Sequence, residues 1–524
     1  MHNIQVKALL KRSFAILGIC IMLAALLGGC ASKKVDDPLA DVKTYKDLND
    51  PKYRVGVCNG TTEGAICEEV IPKAQRLYYN SYVDLLTAVE SHKVDAIVGD
   101  DMTWIYYNVQ TGGKIRILDG FLKPYEFGYI FSKKARGKEL RDQLNEFLGK
   151  LEAEGTLEEI THIWMDESGA RTLSVDYKSL PAKNGVVKVA TTSTGPPFTY
   201  IENGIITGLD IDVISRFCQE YGYGLEVTDM QFDGLIPAVS TGKYDIGASA
   251  ITITDERKES VDFSEPYYFG GTTAAVYNVN YGSDKSFPEK IKDSFRKTFI
   301  KEHRYRLFIS GIIVTLLITL LSALFGTLLG FAVYMLCRNG NRAANAVTKI
   351  CVRIIQMLPV IVMLMIFYYI VFANAPVSGA FVSTIVFSLT FGASVFGMLT
   401  SSINTIDRGQ TEAAYALGFS NLRTFFKIVL PQAMKFFLPS YKSELVALIK
   451  ATAVVGYIAV QDLTRVGDIV RSRTYEAFFP IISVAVIYFI MAWILILIVD
   501  RIEIKIDPKR RKRDDILKGV KTND

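Results

Sequence analysis

A chain of 524 residues is too long for a single hydrophobic core, so about two to four domains are expected. Its net charge of +5 is small for this length, and the basic excess gathers beside apolar segments rather than on a soluble face, which argues against nucleic acid as a partner. The seven cysteines (Cys20, Cys30, Cys58, Cys67, Cys218, Cys337 and Cys351) form no CxxC and no Cys/His pair, so neither a metal nor another cofactor is expected. Only Cys58 and Cys67 are close in sequence; a disulfide between them and two free thiols are both open.

Lys7, Lys11 and Arg12 precede an apolar stretch from Phe14 to Leu27, which is too short for a spanning helix and has the order of a secretory signal. The stretch ends LLGGC, and small residues before Cys30 resemble a bacterial lipobox. That resemblance makes residues 1–30 a signal peptide and Cys30 a lipidated N-terminus; the alternative is an uncleaved anchor. In both cases the chain beyond residue 30 emerges outside the cytoplasm. Residues 31–43 are a polar tether. Residues 44–168 are α/β in character, with buried parallel strands expected at RVGVC (54–58) and VDAIVGD (94–100). Leu140, Leu144, Phe147, Leu148 and Leu151 mark one face of a helix within 137–165. A linker at 169–184 leads to a second α/β stretch at 185–278, with strands at VVKVAT, LEVTDM and DIGASAI. A charged connector occupies 279–306. Its Phe287, Ile291, Phe295 and Phe299 recur every four residues, as in a helix lying along a membrane face.

The composition then changes. Residues 307–337 carry no charge, and neither do 354–406, long enough for two spans joined at ANAPVSG. Further spans are expected near 434–459 and 478–499, giving five across 307–500. An external start and five spans leave the C-terminus inside, in agreement with KRRKR at 509–513 in the tail 501–524. The eight Lys/Arg of 285–306 would lie outside and conflict with that topology; a translocated domain resists flipping by later charges.

Two blocks carry a family resemblance. EAAYALG (412–418) followed by IVLP (428–431) lies in a loop between spans, and with it residues 307–500 resemble the permease subunit of polar amino-acid ABC importers. The resemblance makes Glu412, Ala413 and Ala414 the start of a short helix that docks on a cytoplasmic ATPase, Gly418 its turn, and Pro431 the return to the bilayer. The soluble blocks resemble the bilobal type II periplasmic binding proteins for polar amino acids. GPPFTY (195–200), GLDIDV (208–213), FDGLIPAV (232–239) and ITITDERKESVDFSEPYY (251–268) look like the first lobe. VGVCNGTTEG (55–64), VDAIVGD (94–100) and GTLEEITHIW (155–164) look like the second lobe plus the closing return of the binding domain. The expected fold is therefore a bilobal α/β domain followed by an all-α membrane domain of about five helices. The lobes appear in reversed order, each once. Circular permutation, with the 169–184 linker joining the old ends and the new ends opening at an interlobe crossing, accounts for this; the alternative is two decayed tandem domains whose lobes pair across a dimer.

The resemblance also assigns a ligand site. Arg257 would take an amino acid's α-carboxylate and Asp100 its ammonium, since neither charge can be buried unpaired. Thr252 and the Ala250 backbone would add hydrogen bonds. Thr61 and Thr62, at a helix start, would hold the carboxylate from the second lobe. Phe198 and Phe232 would sandwich the side chain. Thr192 stands where relatives for basic or amide ligands carry an acid, and Cys58 and Gly99 replace a Lys and a His of the glutamine binders, so a neutral or weakly polar side chain is expected. In the permease, QMLP (356–359), Gly397 and Thr400 replace the family's Arg-Gly-Thr-Pro, Glu and Arg, which removes any dedicated charged site from the pathway.

No GxxxxGK[ST] loop occurs, so the chain itself is not expected to hydrolyse ATP. A separate cytoplasmic ATPase dimer on two copies of this chain is implied, in a bacterial cytoplasmic membrane. The rival is a ligand-gated channel, which can use the same bilobal fold; here every span comes after both lobes and no TVGYG-like filter is present. An enzyme on this fold is disfavoured, because His2, His92, His162 and His303 match no pocket position.

Overall fold

The structure, a computed structural model, describes residues 39–165, 171–279, 281, 287–338, 342–373, 375, 377–476 and 478–506. The expected signal peptide, Cys30 and the KRRKR tail lie outside these residues.

The chain enters through a βαβαβ run: β1 (Arg54–Cys58), α1 (Glu63–Val70), β2 (Gln75–Tyr79), α2 (Tyr82–Glu90) and β3 (Ala96–Asp100). β1 and β3 are apolar and buried, and they pair in parallel, as expected of strands covered on both faces. Ser81 caps α2 by accepting from the Asp84 N–H. After α3 (Asp101–Thr111), which ends on left-handed Gly112, come β4 (Ile115–Ile117) and β5 (Lys123–Phe127).

The chain then crosses to a second sheet through β6 (Ile130–Phe131). α4 (Ala135–Ala153) and α5 (Thr156–Met165) come next, with the five expected apolar residues of α4 all buried. β7 (Val186–Thr191) leads into a small antiparallel sheet of β8 (Thr194–Gly195), β9 (Thr199–Glu202) and β10 (Ile205–Thr207). Beyond it lie α6 (Leu209–Glu220), β11 (Gly224–Asp229), α7 (Leu235–Ser240), β12 (Ile246–Ala248), α8 (Asp255–Ser260) and β13 (Asp262–Phe263). The second sheet runs β11-β7-β12-β6-β13.

β14 (Tyr268–Tyr277) returns to the first sheet, which runs β2-β1-β3-β14-β4 with β5 also on β14. Two lobes of one chain thus face each other, joined at 127–130 and 263–268. The lobe boundaries differ from the sequence partition. Residues 128–165 pack with β7 and β12, whereas β14, expected in the first lobe, is a central strand of the second. The chain therefore leaves the domain beyond a crossing, from within the second-lobe sheet, and not at a crossing as expected. The centre of β14 is buried from Gly271 to Val276, and its slot between β3 on one edge and β4 and β5 on the other pairs its backbone on both sides.

α9 (Phe287–Phe295) forms the connector and leaves Ile291 and Phe295 about half exposed. The membrane region comprises α10 (Tyr305–Cys337), α11 (Arg342–Met357), α12 (Val360–Ile366), α13 (Gly379–Asn404), α14 (Arg408–Ala416), α15 (Asn421–Thr424), α16 (Leu430–Ala451), α17 (Leu463–Thr474) and α18 (Phe479–Ile506). α10, α13 and α18 are long and apolar enough to cross a membrane, and two bent pairs raise the number to five. The expected span after 354 is one of these pairs. It bends by 102° between Met357 and Val360, where Pro359 cannot continue a helix. The straight part, Val360–Val371, covers only ~18 Å at 1.5 Å per residue. α10 meets α13 closely because Gly326, Gly330 and Gly392 bring the two backbones together.

Candidate functional site

Between the lobes lies a cleft with about 650 Å³ of empty space, its open mouth included. The second lobe lines it with Cys58, Thr61, Glu63, Tyr82 and Asp100, and the first lobe with Thr192, Phe198, Phe232, Ala250, Thr252 and Arg257. Every residue expected at the ligand site is present except Thr62, which lines an adjoining groove beside Glu69 and Lys123.

Arg257 stands in the first turn of α8, where Thr254 caps the helix by accepting from its N–H. Its side chain reaches across the cleft: Nη1 donates to the Thr252 carbonyl and Nη2 to the Gly60 carbonyl, each at 2.8 Å. The lobes are therefore in contact, and the guanidinium faces both. Burial pulls its pKa down, yet a guanidinium keeps its proton at any ordinary pH. The Phe232 ring lies 5.9 Å from it.

Asp100 ends β3 on the opposite wall. The Tyr82 hydroxyl lies 3.1 Å from its Oδ2 and 2.6 Å from Oε1 of Glu63, and one hydroxyl hydrogen serves only one of them at a time. Glu63 is 3% exposed, and its Oε2 has no partner among the described residues. Burial pushes the Glu63 carboxyl up to about 7. Burial, and then the neighbouring Glu63, push Asp100 well above the usual carboxylate range. Two buried acids thus oppose one guanidinium, an arrangement that an incoming ammonium group would relieve.

Sequence reasoning missed Glu63 and Tyr82. Glu63 opens a helix, where an acid is unremarkable, and only its buried face reveals it. Its presence bears on two expectations. The turn at Thr61 carries its own carboxylate, so it favours an anion only while Glu63 holds a proton. The neutral or weakly polar ligand side chain was expected from Thr192, Cys58 and Gly99; Glu63 adds to the cleft a buried carboxylate that this expectation did not take into account.

The remaining residues are held by the framework. Thr61 donates its hydroxyl to the Cys58 carbonyl at 2.6 Å, and Thr192 to the Met230 carbonyl at 2.9 Å. Ala250 has φ of +50°, and its N–H already donates to Oδ2 of Asp210 at 2.9 Å. Phe198 is 1% exposed and packs edge-on to Phe127 and Tyr268, so it is built into the wall. Cys58 and Cys67 are buried free thiols; there is no disulfide between them.

In the membrane region the helix bearing Glu412, Ala413 and Ala414 begins at Arg408 rather than at Glu412, because Asp407 caps it by accepting from the Gly409 N–H at 2.8 Å. Gly418 lies beyond its end with φ of +80°, a value that favours glycine, and Pro431 lies in the first turn of α16. Glu412, Ala413 and Gly418 are largely open to solvent, as are Leu417 and Leu422, while Ala414 is buried.

Comparison with known proteins agrees with this architecture. The profile of the bacterial extracellular solute-binding proteins, family 3, matches residues 187–449, half of the chain. Over 202 residues the chain is 34% identical to the putative glutamine transport system permease protein GlnP of Rickettsia conorii, covering 38% of this chain and 91% of that protein. It is 31% identical over 199 residues to the L-cystine transport system permease protein TcyB of Bacillus subtilis, covering 38% and 85%. A shorter stretch of 82 residues is 43% identical to a probable histidine-binding protein of Campylobacter jejuni, covering 16% and 32%. A crystal structure of an amino acid ABC transporter with histidines superposes with a TM-score of 0.37 and 27% identity, covering 43% of this chain and all of that one. The chain belongs to family 3 of the bacterial extracellular solute-binding proteins, and it joins to that binding component the permease component of an amino-acid ABC transporter.

Proposed function

We propose that this chain captures an amino acid outside a bacterial cytoplasmic membrane and passes it through its own membrane domain, driven by ATP hydrolysed on a separate subunit. One observation carries the reading: Arg257 and Asp100, from different lobes of one chain, face a single cleft. Arg257 pairs the α-carboxylate, and Asp100, with Glu63 beside it, takes the ammonium. Thr61, Thr192, Ala250 and Thr252 supply polar contacts, and Phe198 and Phe232 flank the side chain. The ligand itself bridges the lobes and so favours closure.

The binding domain is a circular permutation, whose ends were moved into the second-lobe sheet so that β14 leads straight to the connector. Two copies form the translocation unit. Their exposed α14–α15 loops, with Glu412 and Gly418, dock on a cytoplasmic ATPase dimer. Cys30 is the lipidated N-terminus, and the C-terminus lies inside. The deciding experiment is uptake of a labelled amino acid into vesicles bearing the transporter and its ATPase. Uptake against a gradient that stops without ATP supports import; a passive current evoked by the amino acid would replace this reading with the ligand-gated channel.

A further inference from the structure

α17 is amphipathic, yet nearly all of it is buried, because it lies against the binding domain as well as the membrane helices. Its three arginines point to both lobes. Arg465 donates through Nε and Nη2 to the Asp229 carboxylate at 2.7 and 2.6 Å and through Nη2 to the Met230 carbonyl at 2.9 Å, all in the first lobe. Arg473 pairs with Glu202 of the same lobe at 2.6 Å. Arg471 turns to the second lobe, donating to Asp84 at 3.0 Å and to the Thr87 hydroxyl at 2.7 Å.

Both holds lie beside the cleft. Asp229 is two residues from Gln231 and three from Phe232, which line it; Asp84 stands just beyond Ser81 and Tyr82, which also line it. The cap of α2 ties these together, since Ser81 donates to Asp84 at 2.9 Å. A single permease helix therefore grips the ligand-facing rim of each jaw.

The two grips are unequal. Arg465 and Asp229 are 3% and 0% exposed and joined by two bonds, so separating them strands a buried charge. The first lobe is held further by Lys243 on the Tyr368 and Phe372 carbonyls and by Tyr244 on the Tyr368 hydroxyl. Arg471 is itself 5% exposed but Asp84 is 36% exposed, so water can take over the carboxylate when the two part, while Asp468 on the same helix stays 3.3 Å from the guanidinium. Apart from Arg471, α17 holds the second lobe through Tyr475 at its end, which packs on Tyr107 and accepts from Lys114 at 3.2 Å.

We infer that α17 is the element through which the permease senses closure of the cleft: the first lobe is a fixed anchor on it, the second lobe is the moving jaw, and Arg471 latches that jaw through Asp84 when the cleft shuts. This rests on the proposed ligand site, but its residues lie outside that site.

The test uses the full chain in lipid nanodiscs with genetically encoded spin labels in pairs among exposed Lys46 (second lobe), Lys183 (first lobe) and Lys301 (connector). The probe is an equimolar mixture of the twenty standard amino acids. The Lys46–Lys183 and Lys46–Lys301 distances should shorten with the mixture, while Lys183–Lys301 stays fixed. Arg471→Ala should raise the half-closing concentration roughly tenfold, the factor that accompanies ~1.4 kcal/mol. Arg471→Lys should fall between, and the exchange Arg471→Asp with Asp84→Arg should return most of the loss, which a merely structural role would not. A Lys183–Lys301 distance that changes while Lys46–Lys301 does not, or an unchanged half-closing concentration in folded Arg471→Ala, overturns the inference. If wild type does not close with any amino acid, the proposed ligand reading fails instead.

Discussion

Glu63→Gln removes a buried charge and leaves the side chain's shape nearly intact. The wild-type carboxyl moves from an ordinary 4.5 to about 7 on folding, because burial disfavours its ionised form. The folded state thus binds this proton more tightly than the unfolded state. At 1.36 kcal/mol per pKa step, ionising Glu63 costs the ligand-free fold up to about 3 kcal/mol. That stability is fully present below the unfolded value of 4.5, is lost as the pH rises through about 7, and is absent above it. Asp100, also shifted upward, adds in the same direction. The assay is thermal unfolding of the binding domain within the full chain, without amino acids, from about pH 5 to about pH 8. Wild-type Tm should fall over this window by several degrees. Glu63→Gln should fall less and be the more stable protein at the alkaline end. Parallel curves for the two proteins would refute the claim that Glu63 is a strained, charged wall of an empty cleft.

Single contacts set three other outcomes. Gly208→Ala places a Cβ 2.1 Å from the Phe198 carbonyl at a φ of +124°, so the first lobe should lose ~3 kcal/mol or more, read as a lower Tm. Arg465→Ala leaves the buried Asp229 carboxylate with its Ser193 hydrogen bonds but no counter-charge, at a cost of ~3–5 kcal/mol, and limited proteolysis should then release the binding domain from the membrane region. Replacing both partners by apolar residues should be milder than either single change. Gly418→Val forces a β-branched residue into the left-handed region after α14; ATP-driven uptake should fall more than ~10-fold while amino-acid affinity is unchanged.

The reversed lobe order and the strands β1, β3, β7, β11 and β12 were legible because α/β text is local: apolar runs for β1 and β3, five leucine and phenylalanine positions for α4. The position of β14 was not, since its partners β3 and β4 lie well over 100 residues earlier and nothing in its own sequence names them. Glu63 escaped because an acid in a first helical turn looks like routine dipole compensation. The break at Pro359 was written in the sequence but was outvoted by the uncharged stretch around it. α17 reads as a charged segment after a span. Its meaning depends on carboxylates 236 and 387 residues away, and periodicity carries no information over that distance.

Binding by the intact protein tests amino-acid capture most directly. Isothermal titration of the full chain in nanodiscs, amino acid by amino acid, should give saturable binding of at least one of them. Arg257→Ala and Asp100→Asn should each weaken that binding by about a hundredfold or more, since each strands one charged end of the ligand in a buried cleft. Unchanged affinity in either folded variant would contradict it.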